Sequence, residues 1–222
     1  MEKRDPASEK QSIRAIIFAN APIPSKQFVE HFIQDGDLII CADGGANRIV
    51  GYDISPDFIV GDLDSVSLET VRIFQNTKIV RMPEQNNTDL FKSLQFAKKR
   101  GIEEVLIFGA TGARPDHFLG NLSLLEQFSD SLDIQMIDED IVIVLVKELL
   151  QITGAVGQTV SLWPFSEKVS GVTTEGLEYQ LSDETLFKDT RGISNKLNQE
   201  SASISIKNGS LIAIIHHPEH NE

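Results

Sequence analysis

Six short apolar runs, at residues 15–19, 38–42, 58–60, 78–82, 105–108 and 134–137, alternate with amphipathic stretches from residue 14 to about residue 146. Strands buried on both faces read as continuous apolar runs, because helices cover the sheet above and below. The alternation therefore predicts an α/β fold: strands wound into a mostly parallel sheet with helices on both faces. Two helices are well marked. After Asn87, the segment TDLFKSLQFAKKR sets Leu90, Phe91, Leu94 and Ala97 at helical spacing, with Thr88 or Asn87 as cap and basic residues in the last turn. Gly101 then stops it. A second helix follows Arg114, where Pro115 suits the first helical position and Phe118, Leu122 and Leu125 share an apolar face. From about residue 147 the pattern becomes Val, Ile, Thr and Ser alternating between glycines, with no helical period, which predicts a small antiparallel β domain. Its clearest hairpin is SASISIKNGSLIAII, where Asn208-Gly209 suits a type I′ turn.

Composition narrows the partners. A chain of 222 residues with 41% hydrophobic content can bury one large core or two small ones. Lys and Arg total 20 against 33 for Asp and Glu, a formal net charge of −13 with no basic stripe, so nucleic acid is excluded as a partner. The longest charge-free apolar run, residues 141–146, is far short of the roughly 20 residues that cross a bilayer, so no membrane association is expected. The first twelve residues, MEKRDPASEKQS, carry neither the apolar stretch nor the cleavage site of a secretory signal. With Cys41 as the single cysteine no internal disulfide can form, and a cytoplasmic location is expected, with Cys41 an inert buried strand residue.

Candidate chemistry lies where the apolar runs stop, so it should collect at the carboxyl edge of the sheet, where open α/β sheets bind ligands. The first motif is Ala42-Asp43-Gly44-Gly45-Ala46-Asn47-Arg48. Its glycines let backbone N–H groups approach a phosphate, although an ordinary Asp-Gly turn reads as well from this motif alone. The second is Gly61-Asp62-Leu63-Asp64-Ser65. In an extended segment residues two apart share a side, which would put the Asp62 and Asp64 carboxylates within about 7 Å. Paired carboxylates suit Mg²⁺, which takes oxygen ligands beside substrate phosphates; a solvated acidic turn is the bland reading. The third motif, Asn86-Asn87-Thr88-Asp89, opens the first helix, where Asp89 alone reads as a dipole-stabilising acid. Its place on the same edge as Asp43, Asp62 and Asp64 points instead to a shared site. The fourth, Gly109-Ala110-Thr111-Gly112-Ala113-Arg114-Pro115-Asp116-His117, runs on to Gly120-Asn121. Thr111 and Gly112 are small enough for close approach of a triphosphate, Arg114 offers a fork for phosphate oxygens, Asp116 adds a carboxylate, and His117 and Asn121 share a helix face. Neither GxxxxGK[ST] nor GxGxxG occurs, so metal-bound acids, Arg114 and loop amides would hold the nucleotide. Such a site works by positioning and charge neutralisation along an in-line displacement.

In this order, ADGGANR, GDLDS, NNTD and GATGARPDH resemble the motifs of the thiamine pyrophosphokinase family. Residues 171–179, GVTTEGLEY, and 190–195, TRGISN, resemble its thiamine-side signatures, so the likeness runs from about residue 14 to 215. It implies a Rossmann-like catalytic, nucleotide-binding domain over residues 12–147 and a β-sandwich thiamine-binding domain over 148–218. It further implies transfer of pyrophosphate from ATP to the thiamine hydroxyl with release of AMP, Mg²⁺ dependence, and a homodimer with thiamine between the catalytic domain of one subunit and the sandwich of the other. Matched by position, Asp43, Asp62, Asp64 and Asp89 surround Mg²⁺ and the phosphates. Gly44, Asn47, Thr88, Thr111, Gly112, Arg114, Asp116, His117 and Asn121 fall on the nucleotide side, and Tyr179, Thr190, Ser194 and Asn195 on the acceptor side. Two positions depart from the pattern: Asn87 stands where many relatives carry Lys, and Pro115 where a bulky aliphatic is usual.

Thiamine is a cation with two aromatic rings, so aromatic walls in an acidic setting would suit it. Tyr179 and Trp163 are candidates, with a place in the sandwich core as the plainer alternative. Ser194 and Asn195 either hydrogen-bond the aminopyrimidine or cap a turn. One rival reading takes Asp62-Leu63-Asp64-Ser65-Val66 as the DxDx[TV] motif of haloacid-dehalogenase-like phosphatases, but that motif follows a first strand and here at least two strands precede it. A second rival is a non-catalytic nucleotide- or thiamine-binding module, against which stands the gathering of so many like charges. The tail His216-His217-Pro218-Glu219-His220 reads as a polar terminal extension rather than a metal site.

Overall fold

Alternate side chains of the first strand already separate two layers of core. In β1 (Arg14–Phe18), Ala15 and Ile17 pack into one apolar cluster and Ile16 and Phe18 into another, as a strand's period of two requires. The computed structural model describes residues 14–112 and 114–218. Beside β1 lie β2 (Leu38–Ala42), β3 (Phe58–Gly61), β4 (Lys78–Arg81), β5 (Glu104–Phe108) and β6 (Asp133–Ile137), all parallel, in the order β6-β5-β1-β2-β3-β4. Val29 of α1 (Lys26–Glu30) and Ala46 of α2 (Gly45–Arg48) bury against the Ile16 face. Leu90, Leu94 and Ala97 of α4 (Asp89–Lys99) and Leu124 and Leu125 of α5 (Pro115–Gln127) bury against the Ile17 face. A short α3 (Leu68–Ile73) links β3 to β4. Chain order reverses between β1 and β5, and the crevice such a reversal opens at the carboxyl ends of the strands is where this architecture takes ligands.

The helix boundaries follow from local chemistry. The Thr88 hydroxyl accepts from the Phe91 N–H at 3.3 Å and caps α4, while Lys98 and Lys99 sit in its last turn against the negative end of the helix. Gly101, at φ +77°, ends it in the left-handed region. Pro115 is the first residue of α5.

Beyond β6 the same sheet continues antiparallel through β7 (Ile141–Val146), β14 (Leu211–His216), β9 (Thr159–Pro164) and β12 (Asn195–Lys196), ten strands in all. A second antiparallel sheet, ordered β11 (Glu184–Phe187), β10 (Lys168–Glu175), β13 (Ser201–Ser205), β8 (Leu149–Thr153), covers one face of that extension. Val144, Leu162, Leu211 and Ala213 of the first sheet share a core with Ile152, Val169, Val172 and Ile204 of the second, while Ile143 and Ile212 point the other way into the α/β core. The fold is thus a parallel α/β sheet followed by a smaller β sandwich, as predicted.

Two expectations are corrected. SASISIKNGSLIAII is not a hairpin: β13 pairs with β8 and β10 in one sheet, and β14 with β7 and β9 in the other. The Asn208-Gly209 turn, with Gly209 at φ +99°, carries the chain between the two leaves of the sandwich, because both edges of each strand are already taken. The start of the histidine tail is no loose extension. His216 is the last residue of β14, and the His217 N–H donates to the Asp140 carbonyl at 2.8 Å with its ring edge-on to Phe28. Glu219, His220 and the first twelve residues lie outside the described residues. Among the described residues no helix is long and apolar enough to cross a membrane.

Candidate active site

The acids gather where β2, β3 and α4 meet. Asp43 follows β2 directly, at φ +42°, a left-handed conformation uncommon for a side chain bearing a Cβ. That turn aims its carboxylate inward: it is 1% exposed and accepts from the Ser65 N–H at 3.1 Å and the Val66 N–H at 3.0 Å, which ties the first motif to the second. Gly61 makes the approach possible, since a Cβ there would stand 2.7 Å from the Asp43 Cβ and 3.0 Å from Asp89 Oδ1. Asp62-Leu63-Asp64 is not extended as its spacing suggests. Leu63 is left-handed at φ +70°, and the Asp64 N–H reaches back to Asp62 Oδ1 at 3.4 Å. The turn nevertheless brings the carboxylates together: one oxygen each from Asp43, Asp62 and Asp64 lie within 4.8 Å of one another. Such a set of hard oxygen donors, part of it open to solvent, is chemically suited to Mg²⁺.

Two neighbours temper the negative charge. Lys92, 4% exposed, lies 3.0 Å from Asp89 Oδ1 and 3.9 Å from Asp62 Oδ2, and Gln85 Nε2 donates to Asp62 Oδ2 at 2.8 Å. Burial pushes the Asp43 carboxyl up to about 6, against the pull of the two N–H donors and with Asp89 and Asp64 adding to the rise. For Asp62, partial desolvation acts upward, but the donors Gln85 and Asp64 N–H and the charge of Lys92 outweigh it and hold the carboxyl below its ordinary range. Neither Lys92 nor Gln85 stands out in the sequence. The one signal for Lys92 is its place three residues after Asp89, one turn along the same helix.

Next to the acids a cleft of about 280 Å³ opens, lined by Asn20, Gly44, Ser65, Thr88, Asp89, Gly109, Gly112, Arg114, His117 and Asn121. Gly109, at φ +71°, lies so near β1 that a Cβ would stand 2.7 Å from the Ala19 carbonyl oxygen. Several predicted residues brace the walls of the cleft or stand at its edge. Asn121, buried, donates to the Ala110 carbonyl at 2.8 Å and so fixes the 109–112 loop; the Thr111 hydroxyl is tied to Asp138. Asn47 donates to the Ser65 carbonyl at 2.9 Å and accepts from the Ser67 N–H at 3.0 Å and the Thr70 hydroxyl at 2.7 Å, bracing the acid-bearing turn. Arg114 is exposed and forked onto Asp116, with Nε donating to Oδ1 at 3.1 Å, and that hydrogen bond holds the Asp116 carboxyl down at about 2. Asn20, which sequence reasoning passed over, lines the cleft against Gly44, and its carbonyl accepts from Arg48 Nε at 3.0 Å.

The acceptor-side residues form a separate group in the sandwich, and none of them lines this cleft. Asn195 is buried and clamps the backbone of Tyr179, accepting from its N–H at 3.0 Å and donating to its carbonyl at 2.8 Å. Tyr179 itself is 66% exposed. Ser194 is left-handed at φ +59° with its N–H on the Ser161 hydroxyl at 3.0 Å, and Thr190 is exposed in the preceding loop. Trp163 is half-buried, packed against the α/β core.

Comparison with known proteins gives a consistent picture. The family model described as thiamin pyrophosphokinase, catalytic domain, matches residues 29–137, and that described as thiamin pyrophosphokinase, vitamin B1 binding domain, matches residues 147–211. Thiamine pyrophosphokinase of Bacillus subtilis (strain 168) is 30% identical over 190 residues, covering 82% of this chain and 89% of the relative. Thiamine pyrophosphokinase 1 of Oryza sativa subsp. japonica is 28% identical over 229 residues, covering 90% and 86%. Among solved structures, thiamine pyrophosphokinase from Bacillus subtilis superposes with a TM-score of 0.84 at 27% identity, covering 92% of this chain and 99% of the other. Thiamin pyrophosphokinase from Candida albicans shares the fold, with a TM-score of 0.82 at 18% identity over 94% and 90% of the two chains.

Proposed function

The chain belongs to the thiamin pyrophosphokinase family and is an enzyme of that class, and from this premise we propose how its residues carry out the transfer of a diphosphoryl group from ATP to thiamine. The cluster of Asp43, Asp62 and Asp64, joined by Asp89 from the start of α4, would hold Mg²⁺; three of these acids already present oxygens within 4.8 Å of one another, and that observation carries the reading. The cation supplies charge neutralisation for the phosphates when bound. The cleft beside the acids takes the nucleotide, with the 109–112 loop held by Asn121 against it. Arg114 is solvent-exposed and can exchange Asp116 for a phosphate oxygen, a charge-assisted contact of the same kind.

The chemistry requires little of the protein beyond placement. The thiamine hydroxyl oxygen attacks the β-phosphorus of ATP, the bond from that phosphorus to the oxygen bridging to the α-phosphate breaks, AMP leaves with that oxygen, and the hydroxyl proton is released. Asp43, locked by two backbone N–H groups, and Asp62, locked by Gln85, fix the frame in which the attacking and leaving oxygens line up. For the acceptor we propose Tyr179, Thr190, Ser194 and Asn195, on the vitamin B1 binding segment, with the division of labour falling at about residue 147. Their separation from the cleft within one chain supports a homodimer in which one subunit's sandwich serves the other's acids. Cys41 as the only thiol supports a cytoplasmic setting; it is buried, and burial pushes its thiol far above the ordinary range.

Purified protein given ATP, Mg²⁺ and either thiamine or related alcohols should form AMP and thiamine diphosphate in equal amounts, with thiamine the preferred acceptor. Release of orthophosphate with a phosphoaspartate trapped on Asp62 would instead establish the phosphatase reading, and binding without AMP would establish the silent module.

A further inference from the structure

Helix α4 carries its lysines in two very different settings. Lys98 and Lys99 are exposed in its last turn, whereas Lys92 is buried to within 4% of completeness. An ammonium leaves water at a high cost unless it is paired, and the carboxylates within 4.0 Å of Lys92 among the described residues are both site acids, Asp89 at 3.0 Å and Asp62 at 3.9 Å. Asp89 Oδ1, the oxygen that Lys92 holds, is closed on another side by Gly61, where even a Cβ would stand only 3.0 Å away. Asp62 Oδ2 is likewise shared between Lys92 and the 2.8 Å hydrogen bond from Gln85.

On the reading that Asp43, Asp62 and Asp64 hold a divalent cation, we infer that Lys92 is a positioning residue for that site. Its ammonium anchors one oxygen of Asp62 and one of Asp89, leaving the other oxygens to face the cation before it arrives. With a side chain only 5% exposed, Lys92 does not meet substrate; it acts through the acids. Two effects oppose each other when its charge is removed. Repulsion between the ammonium and an incoming dication disappears, which alone would tighten the cation. The anchored carboxylates are freed to swing apart, which loosens it. Outer-shell partners of metal ligands are generally worth about 10–100-fold in metal affinity or activity, so the loss of anchoring is expected to win, and the sign of the change separates positioning from charge balance.

The test uses Mn²⁺ as probe, with free ion counted by electron paramagnetic resonance in the absence of nucleotide, on the wild-type chain and on Lys92→Met, Lys92→Arg and Asp64→Asn, with thermal melting alongside. Lys92→Met should bind Mn²⁺ about tenfold or more weakly while still melting cooperatively, and Lys92→Arg, with its charge kept on a differently shaped head, should lie between it and wild type. Binding by Lys92→Met as tight as wild type, or tighter, overturns the inference, whatever happens to its melting temperature. Should Lys92→Met not fold, Lys92→Arg decides: weaker Mn²⁺ binding at unchanged charge supports positioning, and wild-type affinity refutes it. Asp64→Asn isolates the premise. If it binds Mn²⁺ like wild type, the metal reading itself fails; if it loses the ion while both Lys92 variants keep it, only the role of Lys92 fails.

Discussion

Asp43 is a carboxylate held at 1% exposure within a cluster of acids. Burial raises its carboxyl to about 6, so between the ordinary carboxylate range and pH 6 the folded, metal-free chain keeps a proton that the unfolded chain has lost. Its contribution to stability is therefore fully present below the unfolded value and is lost as pH rises through about 6. Metal binding has the opposite slope, because the ligand must be deprotonated. Mg²⁺ should raise the melting temperature clearly at pH 7.5 and little at pH 5.0, with affinity falling roughly tenfold per pH unit below 6 for a single competing proton. Melting curves with and without Mg²⁺ at the two pH values check this, and an equal shift at both would remove Asp43 from the ligand set. Asp64 differs in being exposed, so Asp64→Asn should leave the melting temperature nearly unchanged while lowering kcat by roughly 100-fold or more, as loss of a direct ligand exceeds that of its outer shell. Far-ultraviolet circular dichroism beside the AMP assay distinguishes that from unfolding. Asp43, Asp62 and Asp64 were legible in the sequence as candidates because they stand just after apolar runs, and Asp89 because it opens the helix that follows the next run. Lys92 was not, because a lysine in an amphipathic helix reads as a solvated one until packing shows which face it is on. Nor was the left-handed Leu63, since nothing in a leucine announces a positive φ.

At the level of elements, the site depends on how closely the end of β3 can pass between β2 and α4. Gly61 sets that clearance. Gly61→Ala would force a methyl within 2.7 Å of the Asp43 Cβ and 3.0 Å of Asp89 Oδ1, so backbone or acids must move. Overpacking of this kind costs about 1–3 kcal/mol, and here the displaced atoms are the carboxylates themselves. The expected outcome is a folded protein melting a few degrees lower, with turnover down by about 10–100-fold and a higher Mg²⁺ requirement; wild-type Mg²⁺ dependence would show that the acids tolerate the shift. The strands and the two long helices could be read in advance from apolar runs, the Thr88 cap and Gly101. Pairing in the second half could not. An Asn-Gly between two alternating segments signals a hairpin only when the flanking strands have free edges toward each other, and here β13 and β14 are each flanked on both sides by other strands. Local turn chemistry specifies that the chain reverses; long-range packing of the two leaves decides which partner it meets.

At the scale of the whole molecule, the ten-stranded sheet joins the α/β part that bears the acids to one leaf of the sandwich in a single hydrogen-bonded ladder. Yet the acceptor-side group is absent from the lining of the cleft beside the acids. Either the chain completes the site with a second copy of itself or acceptor and nucleotide meet by another route, and mixing two inactive variants distinguishes these. Asp64→Asn removes one carboxylate of the acid cluster and leaves the sandwich intact; Ser194→Ala with Asn195→Ala releases the Tyr179 backbone and leaves the acids intact. Each alone should have little activity. When equal amounts are unfolded and refolded together, half of the dimers are mixed, and each mixed dimer has one site with intact acids facing an intact sandwich. A shared site therefore predicts recovery to about one quarter of the wild-type rate, since closed two-fold symmetry gives two equivalent sites per dimer. A site built within one chain predicts no recovery at all, because every chain in the mixture carries one defect.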